Sequence, residues 1–80
     1  MENNEMEKYR VIGKRIQKSR EEAGLTQEQL AKKVGYQSAT AISFIETGER
    51  KLKVGELEKI ANAVKQESYF LLTGKVDKTV

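Results

Sequence analysis

The stretch TQEQLAKKVGYQSATAISFIETG, residues 26–48, decides the fold of this chain of 80 residues. It begins with a predicted capping box, in which the Thr26 hydroxyl accepts the N–H of Gln29 and the Gln29 side chain reaches back. The helix that follows is expected to end at Gly35, because glycine readily adopts the positive φ of a helix stop. A second helix is expected over about Ser38–Thr47. The stretch therefore predicts two short helices joined by a glycine-containing turn.

Residue types at fixed places indicate how these two helices pack. Ala31 is small where the next helix crosses, Gly35 provides the turn, and Ile42 is the apolar residue that packs between the helices. This combination holds two helices at a steep angle and lets the second one protrude. With Ile42 and Ile45 facing inward, the opposite face of the second helix carries Thr40, Ser43, Phe44 and Thr47.

Helical spacing of apolar residues and glycine stops predict three further helices. The first begins near Asn4, which with Glu7 resembles a capping box, and ends at Gly24. A fourth helix follows a polar loop, and its inner stripe is expected to consist of Val54, Leu57, Ile60, Ala61 and Val64. A short fifth helix covers about Ser68–Thr73. We therefore expect an all-α fold of five short helices.

Length and composition narrow the possible functions. The 80 residues suit a single domain, with a core over about residues 8–74 and short tails. Cysteine and histidine are both absent, which excludes disulfides, thiolate sites, His-ligated zinc and nucleophile–His pairs. We expect no enzymatic activity, no cofactor, no metal and no small-molecule ligand. No apolar run approaches the roughly 20 residues of a membrane span, and no signal-peptide core is visible. A cytoplasmic protein without a membrane partner is expected.

The net charge of +3 is small, but the basic residues are clustered. One cluster contains no acidic residue and comprises Lys8, Arg10, Lys14, Arg15, Lys18 and Arg20; the second comprises Arg50, Lys51 and Lys53. Two local basic clusters on a nearly neutral protein favour a polyanionic partner. The simpler interpretation is that they are solvated helix faces.

These motifs together resemble the Cro/phage-repressor (XRE-type) helix-turn-helix family. The resemblance extends from about Ile12 to Gly74 and is carried by Ile12, Gly13, Ile16, Arg20, Leu25–Ala31, Gly35, Ile42–Gly48, Leu57, Ile60, Ala61, Leu71 and Leu72. It implies a lambda-repressor-like DNA-binding domain that binds double-stranded DNA, usually as a homodimer on a palindromic operator. It also implies that Arg20 and Glu46 form a buried, structural ion pair.

The resemblance further implies contacts with the DNA backbone. Gln27 matches a phosphate-contacting glutamine, and the free N–H groups at Thr26 and Gln27 are favourable for an anion. Arg50, Lys51 and Lys53 lie in the loop that is expected to contact phosphates. Lys53 stands near the start of the fourth helix, where the helix dipole disfavours a cation. Two explanations for a lysine at this position remain open: a nearby phosphate, or a poorly optimised helix cap.

One departure from the family lies in the region that reads bases. Ile42 follows Gly35 by seven sequence positions, one more than is usual in the family. The additional residue is absorbed either in the turn or at the start of the helix. The expected base-contacting residues are Gln37, Ser38, Ala39, Thr40, Ser43 and Phe44. They include no arginine for guanine, which favours A·T-rich half-sites. Phe44 either contacts a thymine methyl group or packs inward.

A second departure lies in the last helix, where the family commonly has acidic residues. Tyr69 and Phe70 are adjacent and cannot both face one small core, so at least one is expected to be exposed. We expect a homodimer interface that includes Tyr69, Phe70 and Leu72. The alternative is that one ring fills the space left by Gln66 and Ser68.

The leading hypothesis is a sequence-specific, double-stranded DNA-binding transcriptional regulator, acting as a dimeric repressor. The alternative is a protein–protein adaptor or antitoxin-type module that uses the helix-turn-helix as a scaffold. The absence of strong base readers and the aromatic residues Phe44, Tyr69 and Phe70 favour this alternative. Charge reversal at Arg50 and Lys51 distinguishes the two, because only the regulator depends on those charges.

Overall fold

The computed structural model describes residues 4–76, with side chains from residue 6 onward. This part of the chain contains five α-helices and no strand: α1 (Asn4–Glu22), α2 (Gln27–Val34), α3 (Ala39–Thr47), α4 (Val54–Ala63) and α5 (Ser68–Thr73). The expected all-α class with five helices is confirmed. The Asn4 side chain, on which the first predicted capping box depends, and the last four residues of the predicted tail lie outside the described residues.

Local side-chain chemistry sets the start and the end of α2. The N–H of Gln29 donates to Thr26 Oγ1 at 3.0 Å, and the N–H of Thr26 donates to Gln29 Oε1 at 2.9 Å. Both halves of the predicted capping box are therefore present. Gly35 ends the helix with φ +91°, and its N–H donates to the carbonyl of Ala31 at 3.0 Å. A residue with a Cβ is strained in that conformation.

The core draws apolar side chains from all five helices, and α3 packs against both α1 and α2. Its buried members are Ile12, Ile16, Leu30, Ala31, Ile42, Ile45, Ile60, Ala61, Val64 and Leu71. The prediction that Val54 belongs to the inner stripe of α4 is wrong, since 76% of Val54 is exposed. Val54 is the first residue of α4, and the helix meets the core only from its second turn onward.

The crossing of α1 over the end of α3 depends on a residue without a side chain. A Cβ built on Gly13 would lie 2.6 Å from the carbonyl oxygen of Glu46 and would also collide with that of Ile45. These neighbours are backbone atoms, so they cannot rotate away as a side chain does. Gly13 therefore allows α1 to contact the backbone of α3 directly.

The basic residues of α1 do not form one charged face. Arg20 is buried, and Arg15 Nη1 donates to the carbonyls of Leu71 at 3.1 Å and Leu72 at 2.9 Å. Those carbonyls lie in the last turn of α5, where intrahelical partners are missing. Arg15 thus fastens α5 to α1. The predicted cluster of six is divided between structural roles and the surface.

Candidate nucleic-acid interface

The outer surface of α3 is a polar stripe with one aromatic ring. Thr40, Phe44 and Thr47 are exposed, at positions i, i+4 and i+7 of the helix. Ser43 is half-buried beside them, while Ile42 and Ile45 are buried on the opposite side. The core face and the outer face of α3 are therefore the ones that the spacing predicts.

Phe44 points outward, with 47% of its surface exposed. The additional residue between Gly35 and Ile42 therefore does not rotate the ring into the core. Of the two orientations that the sequence allows, the structure has the exposed one. An exposed ring on the outer face of α3 is available for contact with another molecule.

The turn between α2 and α3 ends at Ser38. Ser38 is the N-cap of α3, and its Oγ accepts the N–H of Thr40 at 3.3 Å. From Ala39 onward α3 is a regular α-helix that ends at Thr47. Gln37 and Ser38 are exposed at the tip, and Ala39 is half-buried.

Arg20 and Glu46 form a buried ion pair between α1 and α3. Arg20 Nε donates to Glu46 Oε2 at 2.6 Å, and only 10% and 3% of the two side chains is exposed. Arg20 Nη1 also donates to the carbonyl of Leu25 at 2.7 Å. Among the described residues, no buried side-chain polar atom lacks a hydrogen-bond partner. The pair holds the end of α3 and the connection from α1 to α2 in one arrangement.

Gln27, at the start of α2, is joined to this network. Its Nε2 donates to Glu46 Oε1 at 2.9 Å, and the side chain is half-buried. An amide nitrogen carries two N–H donors, so one of them remains for an acceptor outside the protein. Neighbouring Thr26 is exposed, but its Oγ1 is occupied by the cap of α2.

A second cluster of hydrogen bonds connects three elements: the turn between α2 and α3, the loop that follows α3, and helix α4. Tyr36 Oη donates to Glu56 Oε2 at 2.9 Å, and Arg50 Nη2 donates to the same oxygen at 2.7 Å. The guanidinium carbon of Arg50 lies 5.0 Å from the centre of the Tyr36 ring, within cation–π range. The N–H of Lys53 completes the cluster by donating to Glu56 Oε1 at 3.0 Å.

This cluster changes the acid–base properties of its members. Burial and the hydrogen bond to the Glu56 carboxylate raise the pKa of Tyr36 to about 12. Burial acts to raise the pKa of Glu56, but three hydrogen bonds and the charge of Arg50 outweigh it and lower that pKa. The hydrogen bond to Glu56 raises the pKa of Arg50. Near neutral pH the cluster thus contains a carboxylate, a guanidinium and a neutral phenol.

The other predicted phosphate-contacting residues of this loop lie at the surface. Lys51 and Lys53 are exposed, and Lys53 occupies the N-cap position of α4 without a side-chain capping bond. A lysine side chain has no acceptor atom, so the cap consists only of the bond from its N–H to Glu56. Arg50 is half-buried and engaged with Glu56.

The last helix separates the three residues of the expected dimer interface. Tyr69 and Leu72 are each 47% exposed. Both line an apolar groove of about 350 Å³ whose other apolar walls are Tyr9, Ile12, Leu52, Val54 and Leu57. Phe70 is instead half-buried and packs against the core. The ring that fills space near the core is therefore that of Phe70, and Tyr69 is the exposed one.

Sequence reasoning missed the structural partners Tyr36, Glu56 and Arg15. Tyr36 and Glu56 are separated by 20 positions along the chain, and no local sequence motif connects the two. A weak signal existed for Glu56, because it stands three residues after Lys53, as the acidic member of a capping box does. Nothing in the local pattern points to the carbonyls of α5 as partners of Arg15.

No group of three or more acidic residues suited to a metal ion occurs in residues 4–76. Within the same range no helix is long and apolar enough to cross a membrane. A model of the helix-turn-helix family matches residues 16–68, which include α2, the turn, α3 and α4. No curated protein matches the chain.

Proposed function

This chain belongs to the Cro/repressor (XRE) type of the helix-turn-helix family, a family of DNA-binding regulators, and on that basis we propose that it is a dimeric repressor. It reads a palindromic operator by inserting α3 into the major groove. The observation that carries the proposal is the outer stripe of Thr40, Phe44 and Thr47 on a helix whose opposite face is anchored in the core. A cytoplasmic location accords with this function.

Base reading is assigned to the tip and the outer stripe of α3. The proposed readers are Gln37, Ser38, Ala39, Thr40, Ser43 and Phe44. The Gln37 amide pairs with adenine in two places, hydroxyl groups contact either kind of base edge, and Phe44 packs on a thymine methyl group. A·T-rich half-sites are therefore expected. A selected consensus dominated by G·C pairs would contradict this assignment.

Backbone contacts are assigned to the two ends of the motif. At the start of α2, the second amide N–H of Gln27 meets a phosphate beside the first-turn backbone N–H groups of Gln27 and Glu28, which the capping box does not use. Beyond α3, Arg50, Lys51 and Lys53 meet a second phosphate group. Each neutralised phosphate contributes about −0.9 to the slope of log K against log salt. One domain makes few such contacts, so useful affinity requires two domains on one operator.

The dimer is assigned to the groove beside α5. Tyr69 and Leu72 present apolar surface there, together with Val54 at the start of α4. A second copy of the chain covers this surface, and a two-fold axis places the two α3 helices one helical turn of DNA apart. Phe70 is left out of the interface, because it packs on its own core.

A protein–protein adaptor is the second candidate, favoured by the exposed ring of Phe44. Charge reversal separates the two functions. Because Arg50 is paired with Glu56, its reversal also disturbs the fold, and Lys53→Glu, at an exposed position without a side-chain capping bond, is the cleaner change. A repressor loses DNA affinity in this variant, whereas an adaptor keeps its binding partner.

The proposed function is tested by fluorescence anisotropy with duplex DNA from immediately upstream of the protein's own reading frame. An unrelated duplex of equal length is the control, at about 150 mM salt. Binding to the upstream duplex is expected to be roughly a thousandfold tighter or more. Equal and weak binding to both duplexes would exclude an autoregulatory repressor and favour the adaptor.

A further inference from the structure

We propose that Tyr36 and Glu56 are positioning residues for DNA binding, which hold the Arg50 guanidinium so that its outward N–H groups meet a backbone phosphate. This inference rests on the proposed function. It gives the turn between α2 and α3 a role in DNA binding, because Tyr36 directly follows Gly35 in that turn. Neither Tyr36 nor Glu56 contacts DNA in this scheme.

The first step is the convergence of three separate elements on one carboxylate. Tyr36 comes from the turn, Arg50 from the loop after α3, and Glu56 from the first turn of α4. The Glu56 oxygens accept from Tyr36 at 2.9 Å, from Arg50 at 2.7 Å and from the N–H of Lys53 at 3.0 Å. The loop that leaves α3 is thereby tied to both the turn before α3 and the helix after it.

The second step concerns the donors of Arg50. A guanidinium carries five N–H groups, and one hydrogen bond, from Nη2, joins Arg50 to Glu56. The guanidinium carbon lies over the Tyr36 ring, 5.0 Å from the ring centre. The side chain is nevertheless 40% exposed. Arg50 is therefore held by Glu56 and by the Tyr36 ring, while its exposed part leaves N–H groups for an anion.

The third step explains why the phenol is needed. The Tyr36 hydroxyl and Arg50 Nη2 both donate to Glu56 Oε2, while the N–H of Lys53 donates to Oε1. The hydroxyl therefore ties the carboxylate that holds Arg50 to the turn before α3. Without the hydroxyl, the Glu56 carboxylate loses this tie and is freer to rotate. The guanidinium bonded to it then moves with it, and its outward donors are no longer held toward the phosphate.

The test is a double-mutant cycle between Tyr36→Phe and Arg50→Gln. Affinity for a mixed-sequence duplex is measured over a range of salt concentrations, since a phosphate contact does not depend on base sequence. Arg50→Gln should reduce the steepness of log K against log salt by about 0.9. Tyr36→Phe should weaken binding about three- to tenfold, within the range for coupled neighbours, and should reduce the steepness in the same direction. In the Arg50→Gln background, Tyr36→Phe should have no further effect.

Two comparisons separate positioning from a loss of stability. Asn62→Ala removes an exposed polar side chain from α4, outside the groove beside α5 and the proposed DNA contacts, and should change neither the affinity nor the salt slope. Glu56→Gln, measured in the parent chain and in the Arg50→Gln variant, gives a second cycle that does not involve the phenol. Its effect on the salt slope should likewise require the arginine at position 50. Thermal unfolding of each variant verifies that the folded fraction at the assay temperature is unchanged.

Equal effects of Tyr36→Phe in both backgrounds, or a salt slope that Arg50→Gln leaves unchanged, overturn the positioning role. If the parent chain still binds its upstream duplex specifically, those results contradict only the positioning role and leave the proposed repressor function intact. A parent chain that binds no duplex even at low salt overturns the proposed function and this inference together. Coupling of Tyr36 to Arg50 in both affinity and salt slope supports the inference.

Discussion

The buried carboxylate of Glu46 joins side chains from three helices, because Arg20 belongs to α1, Gln27 to α2 and Glu46 itself to α3. It accepts from Arg20 Nε at 2.6 Å, from Arg20 Nη2 at 3.3 Å and from Gln27 Nε2 at 2.9 Å. A buried pair contributes little net stability compared with apolar residues of equal size, but removing one member leaves an uncompensated charge. The role of Glu46 is therefore to specify one arrangement of α1, α2 and α3.

Replacing Glu46 by glutamine is expected to destabilise the fold by about 3–5 kcal/mol, because Arg20 is left charged and buried. Chemical denaturation at neutral pH measures this loss. Glu49→Gln, at an exposed position shortly after α3, is the matched control and should change stability by less than about 0.5 kcal/mol. A loss below about 1 kcal/mol for Glu46→Gln would mean that water reaches Arg20.

Glu56 makes stability depend on pH in a predictable direction. The pKa of its carboxyl is lowered in the folded chain, despite burial, by its hydrogen bonds and by Arg50. A group with a lowered folded-state pKa stabilises the fold above its unfolded pKa and loses that contribution as pH falls through the folded value. The contribution is small, below about 1 kcal/mol, because the pair is partly exposed.

We therefore expect the parent chain to be more stable than Glu56→Gln at neutral pH, and the difference to shrink below about pH 4.5. Urea denaturation of both chains between about pH 7 and pH 3 provides the measurement. Subtracting the free energy of unfolding of Glu56→Gln from that of the parent chain at each pH cancels the contribution of the other carboxylates, because they titrate in both chains. A difference that grows as the pH falls would contradict the assigned direction.

At the scale of elements, the crossing of α1 and α3 has the tightest steric requirement. Gly13→Ala places a Cβ 2.6 Å from the carbonyl oxygen of Glu46, and we expect a loss of about 1–3 kcal/mol from the forced separation of the helices. Gly55 is the matched control, because a Cβ there meets nothing within 4 Å. Gly55→Ala should leave stability unchanged or raise it by up to about 1 kcal/mol.

Thermal unfolding of the two alanine variants against the parent chain gives the comparison directly. A lower melting temperature for Gly13→Ala, with an unchanged or higher one for Gly55→Ala, supports a backbone contact between α1 and α3. If both variants gain stability equally, the intrinsic helix preference of alanine outweighs the steric conflict, and α1 does not approach α3 so closely.

At the scale of the whole molecule, the proposed dimer forms through the groove beside α5. We expect the parent chain to dimerise in a concentration-dependent manner, and Leu72→Ser to weaken dimerisation about tenfold or more, as for a central interface residue. Sedimentation equilibrium measures this. Val76→Ser is the control, because Val76 is also exposed, at 68%, but lies outside the groove.

The Leu72→Ser variant should also bind operator DNA more weakly, with a salt slope approaching half that of the parent, since one domain contributes half the phosphate contacts. A parent chain with the mass of a monomer at high micromolar concentration, independent of concentration, would contradict the dimer. An unchanged dimer in the Leu72→Ser variant would place the interface elsewhere.

The sequence by itself determined the helices, the motif and the family. Capping boxes, glycine stops and apolar spacing act over about three to five residues, so they predicted the ends of α2 and α3 and the outward face of Thr40, Phe44 and Thr47. The same local logic failed at Val54. Spacing describes which side of a helix a residue occupies, but it does not show where that helix first meets the core.

Only the tertiary structure decided which charges remain available at the surface. The burial of Arg20 with Glu46 was implied by the family resemblance, but helical spacing does not distinguish Arg15 from Arg50. In the structure Arg15 fastens α5, Arg20 is buried with Glu46, and Arg50 is held by Glu56. Their partners lie 56, 26 and 6 positions away. The energy of an ionic group depends on the atoms within a few ångströms and on its burial. Those neighbours exist only once the helices have packed.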